Sequence, residues 1–294
     1  MKKVLSILTV LCITLSLIAC GNTHTDSPDA LVDKGTEISS PAEKPEEVTV
    51  AEQVIFDQED VKITVTGLDV TGSFWGPELK LLIENNRKEN ITVQASHVAV
   101  NGIMVETSLS SDIAAEKKAN ASLSIFSSDI ELAAIEAIKD IELTLNIFNS
   151  DSWNDIVTSD LIHISTSATD YVQSYDDSGS LAYDDNGVKI VVKKIDSEDS
   201  FWGADVLVYI ENNRNEDITL QADNVSINGF MVSPAFSSDI LAGKKTFDTI
   251  TFFESDLQDN NITDITEIEL SFYGFNMASW DDIFRSDTIT IKLQ

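Results

Sequence analysis

The chain has 294 residues, 43% of them apolar and only 7% aromatic, with 50 acidic against 19 basic side chains and a formal charge of −31. That is length enough for two ordinary domains with cores of their own. The acidity makes nucleic acid and anionic lipid headgroups poor partners, because both are held by clustered cations; divalent cations or basic partners fit it better, and it also favours solubility.

At the amino terminus Lys2 and Lys3 precede an apolar run from Val4 to Leu17, and Ala19 supplies the small residue at which secretory signals are cut. The run is shorter than the roughly 20 apolar residues of a membrane-spanning helix, and a plain secretory signal needs no cysteine after its small residues. The sequence Leu17-Ile18-Ala19-Cys20-Gly21 resembles the lipobox of bacterial lipoproteins. The resemblance implies cleavage before Cys20, a diacylglyceryl group on its thiol and acylation of the new amino terminus. Residues 1–19 are then a lipoprotein signal peptide, and the protein is extracytoplasmic and lipid-anchored. The outer surface of a Gram-positive cell is the preferred setting, with the periplasmic side of a Gram-negative membrane as the other. Cys12 is lost with the signal and Cys20 is blocked by lipid, so the exported domains have no disulfide and depend on their cores.

Residues 20–50 are rich in Thr, Ser, Asp, Glu, Lys and Pro and bury too little apolar surface to offset ordering entropy, which predicts a disordered tether. Beyond it, Phe56 to Ser165 aligns without a gap on Tyr183 to Lys292 at a constant offset of 127, with 50 of 110 positions identical. The chain is an internal duplication, with repeat 1 over residues 51–166, a polar linker over 167–182 and repeat 2 over 183–294.

Within repeat 1 the β-branched and aromatic runs Val61–Thr66, Glu78–Glu84, Ile91–Gln94 and Ile141–Phe148 predict strands. In repeat 2 the same reasoning selects Val188–Lys193, Asp205–Glu211, Ile218–Gln221, Val225–Ile227, Phe230–Val232, Phe247–Phe253, Ile265–Phe275 and Thr288–Leu293. About seven short strands in each repeat predict an all-β protein of two tandem immunoglobulin-like antiparallel β-sandwiches. Asn101-Gly102 and Asn228-Gly229 predict type I′ hairpins. Ser152 to Val157 and Ser279 to Phe284 have the Ser…Asp spacing of a capping box and one apolar face, which predicts a helical turn with Trp153 and Trp280 plugging the end of each sandwich.

Ser-Phe-Trp-Gly occurs at Ser73 to Gly76 and again at Ser200 to Gly203. Two adjacent large aromatics cannot both point inward from a strand, so Phe74, Trp75, Phe201 and Trp202 are candidate binding tips, the other reading being that they fold back over the core. Glu84-Asn85-Asn86-Arg87 and Glu211-Asn212-Asn213-Arg214 follow strands and read as structural turns, with sugar binding by the amides as the weaker reading. Lys117-Lys118 and Lys244-Lys245 read as edge or loop charges that discourage strand pairing.

The histidines His24, His97 and His163 have no zinc-site spacing, and repeat 2 has Asn224 and Thr290 where the latter two would stand. Asp184-Asp185 and Glu198-Asp199 offer carboxylates for Ca²⁺ at an interdomain joint, but no run matches an EF-hand loop. No other cofactor is expected. There is no free cysteine nucleophile, no Gly-x-Ser-x-Gly elbow and no histidine shared by both repeats, so the chain does not read as an enzyme.

The repeated Ile-Glu-Asn-Asn-Arg, Ile-Thr-x-Gln-Ala, Val-x-x-Asn-Gly-x-Met-Val, Ser-Ser-Asp-Ile and Ser-Trp-x-Asp-Ile segments resemble uncharacterised immunoglobulin-like domains of surface proteins in clostridia and related Gram-positive bacteria. The resemblance implies fold and location and brings no ligand. The expected function is a non-enzymatic binding or structural module of the cell envelope, held to the membrane by Cys20 and contacting an envelope protein or wall polymer. The alternatives are an accessory or inhibitory subunit of a membrane transporter or protease, and a carboxylate-dependent hydrolase.

Overall fold

The computed structural model describes residues 47–196 and 203–292. Cys20, the signal peptide, most of the tether, Phe201, Trp202 and the Glu198-Asp199 pair lie outside the described residues. Among those described, no helix is long and apolar enough to cross a membrane.

Repeat 1 is built from β1 (Gln53–Gln58), β2 (Val61–Ser73), β3 (Gly76–Asn85), β4 (Ile91–Val100), β5 (Ile103–Met104), β6 (Thr107–Ser108), β7 (Ser110–Ile113) and β8 (Lys117–Ile125), then a short helix α1 (Ser127–Leu132), then β9 (Asp140–Asn149), β10 (Asp155–Thr158) and β11 (Ile162–Ser165). Repeat 2 follows with β12 (Ser180–Asp185), β13 (Val188–Asp196), β14 (Gly203–Asn212), β15 (Ile218–Ile227), β16 (Phe230–Met231), β17 (Ser237–Ile240), β18 (Lys245–Phe253), α2 (Glu254–Asp259), β19 (Glu267–Asn276), β20 (Asp282–Arg285) and β21 (Ile289–Lys292).

Each repeat is an antiparallel sandwich, as expected. The strands alternate: in β3, Leu79, Leu81 and Ile83 are buried while the residues between them face outward. Each such aliphatic contributes roughly 1.5–3 kcal/mol by leaving water. The front sheet of repeat 1 runs β1-β2-β3-β8-β6, and its back sheet is centred on β4 and β9. Repeat 2 repeats the plan with β12-β13-β14-β18 in front and β15 and β19 behind. The two interiors are separate clusters, one around Ile63, Ile83 and Leu145 and the other around Ile190, Val208 and Phe272.

The back sheet of repeat 1 is continuous with the front sheet of repeat 2. β5 pairs in parallel with β18, Ile103 opposite Lys245 and Met104 opposite Thr246, so ten strands form one sheet across the duplication. Met104 packs on the core of repeat 2, and Phe247 packs on the core of repeat 1.

Both Asn-Gly hairpins form. Asn101 and Gly102 have φ of 52° and 81°, and Asn228 and Gly229 have 50° and 83°, the left-handed pair that a type I′ turn requires. Ile218–Gln221 and Val225–Ile227 are one strand, β15, interrupted by a bulge at which Asn224 has φ 52°. In β4 the same bulge is made by His97, also at 52°.

Three expectations are corrected. The Ser152 and Ser279 segments are tight turns leading into β10 and β20. The Asn149 side-chain oxygen accepts from the backbone N–H groups of Asp151 and Ser152, at 3.0 and 2.8 Å, and Trp153 then takes a left-handed φ of 60° that ends the turn. Asn276 and Trp280 repeat this geometry. The tryptophans do not plug the sandwiches. Trp153 is 74% exposed and stacks on Phe148 at 5.5 Å, and Trp280 stacks on Phe275 at 5.4 Å.

Lys244-Lys245 does not discourage strand pairing, since Lys245 pairs with both β14 and β5, whereas Lys117 and Lys118 pair with β3 on one side and have no described strand on the other, as expected of edge charges. The linker is fastened to both repeats: Tyr175 donates its hydroxyl to the Asn101 carbonyl at 2.9 Å, Gln173 donates to the Ala133 carbonyl at 3.1 Å, and Lys193 donates to Asp176 at 2.9 Å. Val50 bridges to Thr166, and Ser167 donates its N–H to the Thr49 carbonyl.

Candidate functional site

The β2–β3 hairpin turns through Phe74 and Trp75, with Ser73 paired opposite Gly76. Its backbone is fixed from within. Asp69 Oδ1 accepts from Thr71 N, Thr71 Oγ1 and Gly72 N at 3.1, 2.8 and 2.9 Å, and these bonds, the one from Gly72 foremost, hold its carboxyl below the usual aspartate range. The Trp75 carbonyl accepts from Ser127 N at 2.8 Å, which ties the hairpin to the start of α1. Gly76 has φ 132°, and a Cβ there would lie 2.2 Å from the Ile125 carbonyl oxygen. Gly203 meets Phe252 in the same way at 2.3 Å, so the glycine of the repeated motif is retained by strand packing.

The aromatics on this hairpin are outside the core. Phe74 is 91% exposed and Trp75 is 60% exposed, with the two rings edge to face at 5.3 Å. Trp75 also approaches Phe126 at 6.0 Å. Together Trp75 and Phe126 wall one side of a groove of about 560 Å³, whose remaining lining is Ser108, Leu109, Ser110, Ser111, Ala121, Ser122 and Ser124. The serines stand on the outward positions of β8 and on β6 and β7, while Leu123 and Ile125 point into the core between them. The groove is uncharged in a strongly acidic chain. At its edge Lys80 donates to Ser122 Oγ at 3.3 Å and is ion-paired with Glu78, which the Lys80 bond holds below its ordinary pKa. An aromatic wall beside five hydroxyls can stack a flat apolar ring face and exchange hydrogen bonds with its substituents.

The sequence located Phe74 and Trp75 but missed Phe126 and the serines. The available signal was the alternation Ser122-Leu123-Ser124-Ile125, which puts two hydroxyls on one face. Asn85 and Asn212, by contrast, are buried structural residues. Asn85 Nδ2 donates to the carbonyls of Glu89, Ile113 and Ala114 at 2.8, 3.0 and 3.1 Å, its Oδ1 accepts from Arg87 N, and Asn212 repeats the set. Their amides are buried, with every N–H donated inside the fold, and present no face to a sugar.

A second cleft, of about 450 Å³, lies between the repeats and brings together Glu106, Asp129, Asp239 and Asp248. Burial pushes the carboxyls of Glu106 and Asp248 above their ordinary pKa, Asp129 adding to both. Among the described residues no three His, Cys, Asp or Glu side chains are placed to hold a metal ion. Asp184 and Asp185 lie at the β12–β13 turn, near Arg214, whose guanidinium donates to the Asn186 carbonyl at 2.7 Å.

No protein-family model matches the chain, and no curated protein matches it. Among solved structures, the YadV chaperone is similar at 12% identity over 80% of this chain and 100% of its own, with a TM-score of 0.24. The Salmonella enterica SafA pilin in complex with the SafB chaperone gives 12% identity, 81% and 98% coverage and a TM-score of 0.25. A protein of unknown function from Porphyromonas gingivalis gives 11%, 84%, 99% and 0.20. Likenesses this distant carry no functional argument.

Proposed function

We propose that the chain is a lipid-anchored surface protein of the cell envelope, attached through Cys20, whose paired immunoglobulin-like sandwiches act as a non-enzymatic binding module. The Phe74–Trp75 hairpin and the serine groove beside it are its contact surface, and the ligand is a wall polymer or an envelope protein.

The observation that carries this reading is the exposure of Phe74 and Trp75 on a hairpin whose backbone is hydrogen-bonded on both sides. Large aromatics held rigidly in water cost solvation without adding to the core, and a rigid aromatic is the residue type that most often anchors an interface. The test is capture from wall fragments and from membrane and secreted proteins by the chain from Gly21 onward, with Trp75→Ala beside it. The variant should melt within about 0.5 kcal/mol of wild type, as exposed substitutions do, and should lose the captured ligand. A partner held equally by wild type and variant removes the hairpin as the site, and a loss of several kcal/mol in stability removes its exposure.

A further inference from the structure

We infer that the chain associates head to tail with further copies of itself, the β16 hairpin of one copy pairing in parallel with the first residues of β8 in the next. This is independent of the proposed ligand-binding role.

The template is inside the molecule. Repeat 1 offers a donor, the Asn101-Gly102 hairpin with β5, and repeat 2 an acceptor, the outer edge of β18 at Lys245 and Thr246. The joint is completed by Lys245 N donating to the Gly102 carbonyl at 3.1 Å, by Met104 on the second core, and by an ion pair between Glu142 and Lys244, both largely buried. Because the repeats are homologous, each end of the molecule carries the half that its own joint does not use.

At the repeat 2 end, β16 pairs only with β15 among the described residues. Phe230 and Met231 stand where repeat 1 has Ile103 and Met104, and they are 49% and 67% exposed where Ile103 is buried. At the repeat 1 end, Lys117, Lys118 and Ala119 pair with β3 on one side, and no described strand covers the other. Ala119 stands where Thr246 receives Met104, and Lys117 where Lys244 meets Glu142. Glu269 occupies the place of Glu142, in hydrogen-bond contact with Ser226 at 3.2 Å. A Glu269–Lys117 pair between copies thus reproduces the internal ion pair.

The acceptor of repeat 1 is the more polar of the two. Lys80, Leu82 and Asn120 replace Leu207, Tyr209 and Phe247, so contact between copies is weaker than contact within one. The formal charge of −31 on each copy opposes it further. Association therefore strengthens with protein concentration and with salt, which screens that repulsion beyond about 10 Å at 0.1 M. Because donor and acceptor are different surfaces, the contact propagates into open chains of copies.

The chain from Gly21 to Gln294 contains no cysteine. A Met231→Cys, Ala119→Cys variant therefore carries only the two thiols that this register brings together. Under mild oxidation it should give a ladder of dimers, trimers and longer species on a non-reducing gel, while either single variant gives no ladder beyond dimer. In sedimentation, the wild-type average mass should rise with concentration in high salt, and Met231→Lys should weaken the association roughly tenfold, as expected for a central apolar contact. A chain that stays monomeric at every concentration and salt, or a double-cysteine variant no more cross-linked than the single ones, overturns the inference.

Discussion

Asn85 and Asn212 show what a single residue does in this fold. Each is fully buried at the end of a strand, and each closes the turn after it by donating to three carbonyls and accepting one backbone N–H. Replacing either by alanine takes the side-chain donor from the buried carbonyl of Ile113 or Ile240 and leaves the backbone N–H of Arg87 or Arg214 without its acceptor. Asn85→Ala or Asn212→Ala should cost about 3 kcal/mol, since each buried group left unpaired costs 1–3, and urea melts of the two variants measure it; a loss under about 0.5 kcal/mol would mean that water replaces the amide. The turn itself was legible in the sequence, because Asn tolerates the geometry, but the burial of the amide was not. That burial depends on Ile113 and Ile240, which stand 28 residues further along the chain. Trp153 and Trp280 teach the converse. Their spacing from Ile and Val matches one helical face, yet the Asn four residues earlier captures the backbone first and turns the chain the other way.

At the scale of elements, most strands were legible because alternation is a local property of a half-buried sheet. Strand ends were not, since β4 and β15 run on through a bulge whose left-handed residue is His in one repeat and Asn in the other. The helices α1 and α2 were missed for a simpler reason: six residues without a buried side chain have no apolar period to read. The joint between repeats was invisible as well. Lys244 looked like an edge charge, but it lies against Glu142, which also pairs with His163 at 2.8 Å. Lys244→Met keeps the aliphatic stem and leaves Glu142 buried without its main cation. Such breaks cost about 3 kcal/mol or more, so Lys244→Met should lower the melting temperature clearly, while Lys117→Met at the matching position, where no carboxylate among the described residues pairs with it, should leave it nearly unchanged. Equal effects would show that the ion pair contributes nothing to the joint.

At the scale of the molecule, acidity acts differently at the surface and in the inter-repeat cleft. Half-buried Asp69 and Glu78 and exposed Asp176 have their carboxyls held low by hydrogen bonds or lysines, whereas Asp248, where burial dominates, is pushed up. For Asp248 the folded state binds more protons than the unfolded one between the ordinary aspartate value and the raised one. Its contribution to stability therefore falls as pH rises through that window and stays low above it. Asp248→Asn keeps an oxygen for the N–H of Thr249, which donates at 2.7 Å, and removes the buried charge. The variant should be more stable than wild type at pH 7, with the gain shrinking as pH falls toward 4, and thermal melts from pH 4 to 8 follow it; a gain independent of pH would place its origin elsewhere. The sequence by itself determined the duplication, the all-β character and the hairpin turns, because identity at a fixed offset, alternation and the left-handed tolerance of Asn-Gly are written in residues close together. Only the tertiary structure decided that the two sandwiches share one sheet, that Trp75 meets Phe126 over a row of serines, and that carboxylates from both repeats face one cleft. Those contacts join residues tens to more than a hundred positions apart, and no local period records which edges meet.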